Sequence, residues 1–174
     1  MNNETLKNIK ERRSIRAFKK EQIPDEALKA VLEAGTYAPT SRGMQAPIIV
    51  AVQNELLKEK LANLNAQIMG ATSNPYYNAP TYILVMAPDD ARYPIHDCSC
   101  VLENMMIAAQ SLGIGTCWIH REKEMFECEE GKQLLLEMGL QENMIGVGAL
   151  AIGYPEGTPS PAKPRKPDYF KIIK

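Results

Sequence analysis

Apolar residues in this chain change their period several times, and each change marks an element. Leu6 and Ile9 share one face of a helix predicted over about 4–11, which Asn3 can cap. Pro24, Asp25 and Glu26 form a first-turn signal, and Ala27, Leu28, Val31, Leu32 and Ala34 then recur at helical spacing until Gly35 and Pro39 stop the run. Residues 39–43 are turn-forming. Ile48 to Val52 is wholly apolar and rich in β-branched side chains, which predicts a buried strand. Asn54 can cap a third helix reaching about Met69, and 70–80 is a loop of Ser, Asn and Pro. Thr81 to Met86 is a second buried strand. Asp97 is the expected N-cap of a long apolar helix over about 98–112, ended by Gly113. Gly115 to Ile119 is a third strand, Glu129 to Met138 a helix closed by Gly139, and Ile145 to Ile152 a fourth strand interleaved with glycine.

The end of the chain breaks this alternation. Pro155, Pro159, Pro161, Pro164 and Pro167 exclude a core helix or a central strand there. Yet Tyr169, Phe170, Ile172 and Ile173 make the last residues strand-like. The expectation is a single domain over 1–174 with 155–174 as an extended C-terminal arm, whose apolar tip docks on a partner subunit.

Composition narrows the class. The chain has 174 residues, 45% hydrophobic and 24% charged, which is ordinary for a globular protein and excludes disordered, collagen-like and coiled-coil chains. No apolar run approaches the roughly 18 residues of a membrane span. Residues 1–5 show no basic-then-apolar leader pattern, and four cysteines are too few for a disulfide scaffold. The expectation is a cytoplasmic protein with free thiols and no membrane partner. His96-Asp97-Cys98-Ser99-Cys100 invites a metal reading, but helical spacing sets Cys98 and Cys100 about 200° apart. No metal site is expected. Gly113-Ile114-Gly115 follows a helix rather than a strand, so it is not a dinucleotide fingerprint.

The charge is nearly balanced but unevenly spread. Twenty Lys/Arg oppose 21 Asp/Glu, for a formal net charge of −1. Residues 1–20 carry seven Lys/Arg against two Glu, and 159–174 carry five against one Asp, so the excess acid lies between them. Two basic ends can close on one anion, because domain termini often lie close together; solvated tails are the plainer alternative. An acidic middle and a pI of about 6.2 speak against nucleic acid.

Three segments carry candidate chemistry. In Arg12-Arg13-Ser14-Ile15-Arg16, extended geometry points Arg12, Ser14 and Arg16 the same way, and two guanidinium forks with a hydroxyl suit a phosphate. Lys163 and Arg165 alternate between prolines and can form the other half of such a site. The loop Ala38 to Gln45 offers several hydrogen-bonding groups between a helix and a strand.

These three segments in this order resemble the nitroreductase family of FMN-dependent oxidoreductases. Arg12 to Phe18 looks like that family's N-terminal flavin-binding motif. Ala38 to Gln45 looks like its Ala-Pro-Ser-x-x-Asn-x-Gln-Pro-Trp loop. Leu112 to Ile119 looks like its Leu-Gly-x-Gly-x-x-Trp segment, and Gly153-Tyr154-Pro155 with Lys163-x-Arg165-Lys166-Pro167 looks like its C-terminal end. The likeness runs over about 5–170. The chain departs from the family pattern with Gly43 in place of Asn, Ala46-Pro47 in place of Pro-Trp, and His120-Arg121 where Gly is common.

The resemblance implies an α+β fold with a mixed, mostly antiparallel sheet of four strands flanked by helices, and a homodimer that exchanges its C-terminal strand. It implies FMN held at the phosphate by Arg12, Ser14, Arg16, Lys163 and Arg165. Arg13 would lie at the polar edge of the flavin, Trp118 and Ile119 along one ring face, and Pro39, Thr40, Ser41, Gly43 and Gln45 would come from the partner subunit. The implied activity is ping-pong hydride transfer from NADH or NADPH through flavin N5 to a nitroaromatic, quinone or similar small acceptor. Catalysis then rests with the flavin, and Arg13 is the one side chain with a candidate electrostatic role. The alternatives are a flavin-binding protein with little reductase turnover and a polyanion-binding interaction module.

Overall fold

The computed structural model describes residues 3–174; Met1 and Asn2 lie outside the described residues. Ten regular elements follow in order. They are α1 (Glu4–Glu11), α2 (Asp25–Thr36), β1 (Ile48–Val52), α3 (Glu55–Met69), β2 (Thr81–Pro88), α4 (Pro94–Ser111), β3 (Gly115–Ile119), α5 (Glu122–Glu127), α6 (Glu129–Glu137) and β4 (Met144–Gly153). The side chains of Asn3 and Asn54 accept from Leu6 N–H and Leu57 N–H at 2.9 and 3.0 Å, as expected of N-caps.

The strands form one antiparallel sheet in the order β1-β2-β4-β3. The expected mixed sheet is corrected here. The parallel pairing seen among the described residues is an isolated bridge of Ser14 to Thr116. Helices cover both faces, which is why the central strands read as continuous apolar runs. In β2, Tyr82, Leu84 and Met86 face one core with residues of α3, α5 and α6, while Ile83, Val85 and Ala87 face a second core under α2 and α4. β4 alternates in the same way, with Ala149 and Ala151 on the first side and Leu150 and Ile152 on the second. No helix among the described residues is long and apolar enough to cross a membrane.

One sequence expectation fails locally, and one element goes unpredicted. Asp97 is not the N-cap of α4; Pro94 occupies the first turn and Tyr93 the cap. The Asp97 carboxylate instead accepts from Ser41 N–H at 3.0 and 3.1 Å. The six-residue α5 went unread because it is too short to show a period. Tyr169 to Ile173 forms no strand within the chain, and Tyr169, Phe170, Ile172 and Ile173 are exposed.

Lys58 of α3 is 6% exposed, and its ammonium anchors the turn ahead of β2. It donates to the Ala79 and Pro80 carbonyls at 3.3 and 2.8 Å and pairs with Glu55 at 3.0 Å. Lys58→Met keeps the stem but leaves the buried Ala79 carbonyl without this donor. The expected loss is about 1–3 kcal/mol of unfolding free energy, read from the shift of a urea midpoint.

Candidate functional site

Strand β3 lies at the edge of the sheet, where unpaired backbone groups need cover. The chain after α1 supplies it. Ile15 N–H donates to the Thr116 carbonyl at 2.9 Å, Lys19 N–H to Tyr154 at 2.9 Å, and Glu156 N–H to Ala17 at 2.9 Å. Ile15 and Phe18 bury their side chains in the first core and fix the register of this segment. The approach is close: a Cβ at Gly115 would stand 2.7 Å from Ile15 Cγ1.

This stitching brings the two basic segments together. A cavity of about 320 Å3 is lined by Arg12, Arg13, Ser14 and Arg16 on one side and by Ser160, Lys163 and Arg165 on the other. A second cavity of about 330 Å3, lined from Ser14 to Ala17 and from Pro155 to Ser160, shares the residues Ser14, Arg16 and Ser160 with it. Among the described residues, none of the five cations has a carboxylate within 4.0 Å. Arg13 is tethered, donating to the Lys10 and Arg12 carbonyls at 2.7 and 2.6 Å at the end of α1. The Arg16 guanidinium sits 6.0 Å from the centre of the Tyr77 ring, a contact absent from the sequence reading. Burial pushes the Cys117 thiol up, with Arg16, Arg12 and Ser14 pulling the other way.

Other predicted residues fall elsewhere. Pro39, Thr40, Ser41, Gly43 and Gln45 do not line the cradle. Their loop packs by the start of α4, pinned by Asp97, with Gln45 N–H donating to Thr40 Oγ1 at 3.0 Å. Arg42, Gly43 and Gln45 all have positive φ there. Trp118 and Ile119 point to opposite faces of the sheet: Ile119 joins Cys117 in the first core, and Trp118 packs against the second. Cys98 is buried, with its thiol pushed up to about 12 by burial, while Cys100 is exposed.

A polar network that the sequence did not announce surrounds Glu122. Glu122, at the start of α5, is fully buried. Tyr76 Oη donates to its Oε1 at 3.0 Å, while its Oε2 has no partner among the described residues. Asn65 Nδ2 donates to the His120 carbonyl at 2.9 Å and stands 3.4 Å from Tyr76 Oη. Arg121 Nε donates to Asn65 Oδ1 at 2.9 Å.

Comparison with known proteins decides the family. The model of the nitroreductase family matches residues 9–75 and 67–154. The chain belongs to the nitroreductase family. The matched span holds Arg12 to Arg16 and ends before Lys163 and Arg165. A nitroreductase of Bacteroides fragilis solved with bound FMN is 35% identical, covers 99% of this chain and 100% of its own, and superposes with a TM-score of 0.90. A nitroreductase of Desulfitobacterium hafniense, also with bound FMN, is 26% identical over 100% of both chains, with a TM-score of 0.81. A protein of Archaeoglobus fulgidus, provisionally named an NADH dehydrogenase/NAD(P)H nitroreductase, is 33% identical over 88% of this chain and 86% of its own. The nitroreductase fold is therefore the fold of this chain.

Gly115→Ala tests the edge geometry. The added methyl group pushes Ile15 away from β3, with an expected cost of about 1–3 kcal/mol in stability. Thermal unfolding and inorganic phosphate binding by calorimetry should both weaken; if neither changes, the close approach does not hold the cradle together.

Proposed function

We propose that this chain is an FMN-dependent oxidoreductase, drawing on NADH or NADPH and reducing a nitroaromatic, quinone or similar small acceptor in a ping-pong cycle. The observation that carries the proposal is the cradle of five cations without a carboxylate partner, gathered around a cavity at the β3 edge. Its chemistry fits the phosphate of FMN. Guanidinium forks accept a multi-oxygen dianion in paired hydrogen bonds, and the Ser14 hydroxyl adds a neutral donor. Relatives of the same fold hold FMN, which supports the assignment.

In this reading Arg12, Ser14, Arg16, Lys163 and Arg165 hold the phosphate. Bound FMN would supply the redox chemistry, taking two electrons from a reduced nicotinamide and returning them to the second substrate. Ile119, on the cradle side of the sheet, backs the ring, and Trp118 supports the strand from behind. Arg13, held at the end of α1, faces the polar edge of the flavin with its positive charge. The Pro39 to Gln45 loop does not line the cradle of its own chain, which fits a homodimer in which it completes the site of the other subunit. The exposed arm tip, Tyr169 to Ile173, fits the same arrangement.

Arg16→Ala and Lys163→Ala each remove a charge-assisted contact worth about 1.5–3 kcal/mol. FMN titrations should show affinity falling about 10- to 150-fold in each. Unchanged affinity in both variants would remove the phosphate from this cradle. Anaerobic NADH or NADPH should bleach the flavin spectrum of the native protein. Flavin that binds without bleaching would instead select a flavin-binding protein with little reductase turnover.

A further inference from the structure

The carboxyl of Glu122 is the one buried acid of the described residues with an unpartnered oxygen, and the proposed chemistry does not use it. Its surroundings join two pieces of chain. On one side Tyr76 donates to Oε1, and the next residue, Tyr77, lies under the Arg16 guanidinium of the cradle. On the other side Asn65 stands between Tyr76 and the corner that follows Ile119, holding the His120 carbonyl and Arg121 Nε. Both corners are conformationally demanding, with positive φ at Tyr77, Asn78 and Arg121.

We propose that Glu122, in its uncharged form, is a positioning residue for the flavin site: it clamps the Tyr76–Tyr77 corner directly and the His120–Arg121 corner through Asn65, and loss of its proton releases both. This rests on the reading of the cradle as the flavin site. An ionised carboxylate would leave Oε2 charged, buried and without a donor, an arrangement that a protein relieves by keeping the proton or by moving the chain. The side chains that reach it from other elements carry no full charge. From the turn ahead of β2 it meets the neutral Tyr76, behind which stands the neutral Asn65 of α3, and on the β4 side a Cβ built at Gly146 would lie 2.4 Å from the Glu122 backbone carbonyl. Burial pushes the carboxyl up to about 8; its own backbone N–H, the Tyr76 hydroxyl and Arg121 favour the charged form and Glu124 opposes it, and burial outweighs them. The sign follows. The folded pKa lies above the unfolded one, so the folded state holds the extra proton; stability falls as pH rises from about 4.5 to about 8 and levels off above. The clamp is intact below about pH 8 and opens above it.

The test compares the native protein with Glu122→Gln, which keeps the shape and cannot ionise. FMN affinity is measured by flavin fluorescence at about pH 7 and 9.5. The native protein should weaken about tenfold or more over this range, while the Gln variant should stay within about twofold. All other titrating groups are common to both, so an equal loss in both, or no loss in either, overturns the proposal. In parallel, amide hydrogen exchange is followed without flavin at 76–78 and 120–123. Beyond the intrinsic pH effect, exchange there should accelerate in the native protein and not in the variant. If neither protein binds FMN, the flavin reading fails, and the exchange data alone decide whether Glu122 clamps the corners. If the variant does not fold, the native exchange profile decides: a step near pH 8 confined to the two corners supports the clamp, and its absence overturns it.

Discussion

Like charges held together without a counter-charge are the constraint on which this molecule turns. Two cations about 8 Å apart repel by roughly 0.5–2 kcal/mol, depending on how much water lies between them. Arg12, Arg13, Arg16, Lys163 and Arg165 line one cavity. What keeps the three arginines there is backbone. The segment after α1 is bonded to β3 and to the residues after β4, with Ile15 and Phe18 sunk into the core as anchors. A bound dianion turns that mutual repulsion into attraction, so anion binding and the stability of this edge are thermodynamically linked.

The sheet explains why the cradle can be both exposed and precise. β2 and β4 are sandwiched on both faces and carry the two cores, leaving β3 as the flank against which basic residues can be laid. The same pairing also protects that flank from strands of other molecules. Ser41 is tied to Asp97, which is buried at the start of α4, and its loop does not line the cradle. A chain that keeps two halves of a site apart in this way suits the proposed homodimer, since each subunit then offers what the other lacks.

Much of this was legible in the sequence. The four strands, both Asn caps and the pairing of the two basic ends followed from local pattern and charge. The start of α4 was misread because Asp97 looks like a cap, whereas its carboxylate serves Ser41, 56 residues away. Strand alternation sends the Trp118 and Ile119 side chains to different cores. The Glu122 network was invisible for a different reason. Tyr76 and Glu122 are 46 residues apart and Asn65 lies 11 before Tyr76, and nothing in the pattern of any one segment signals that they meet. Helical and strand periods report which face is buried; they carry no information about which distant polar groups share that burial.

The most direct measurement compares the affinities of FMN and riboflavin, which differ only by the phosphate. If Arg12, Arg16, Lys163 and Arg165, with Ser14, bind that group, FMN should bind about 100-fold or more tightly than riboflavin, since several charge-assisted contacts are lost together. Equal affinity for the two would contradict the assignment of the cradle to the flavin phosphate.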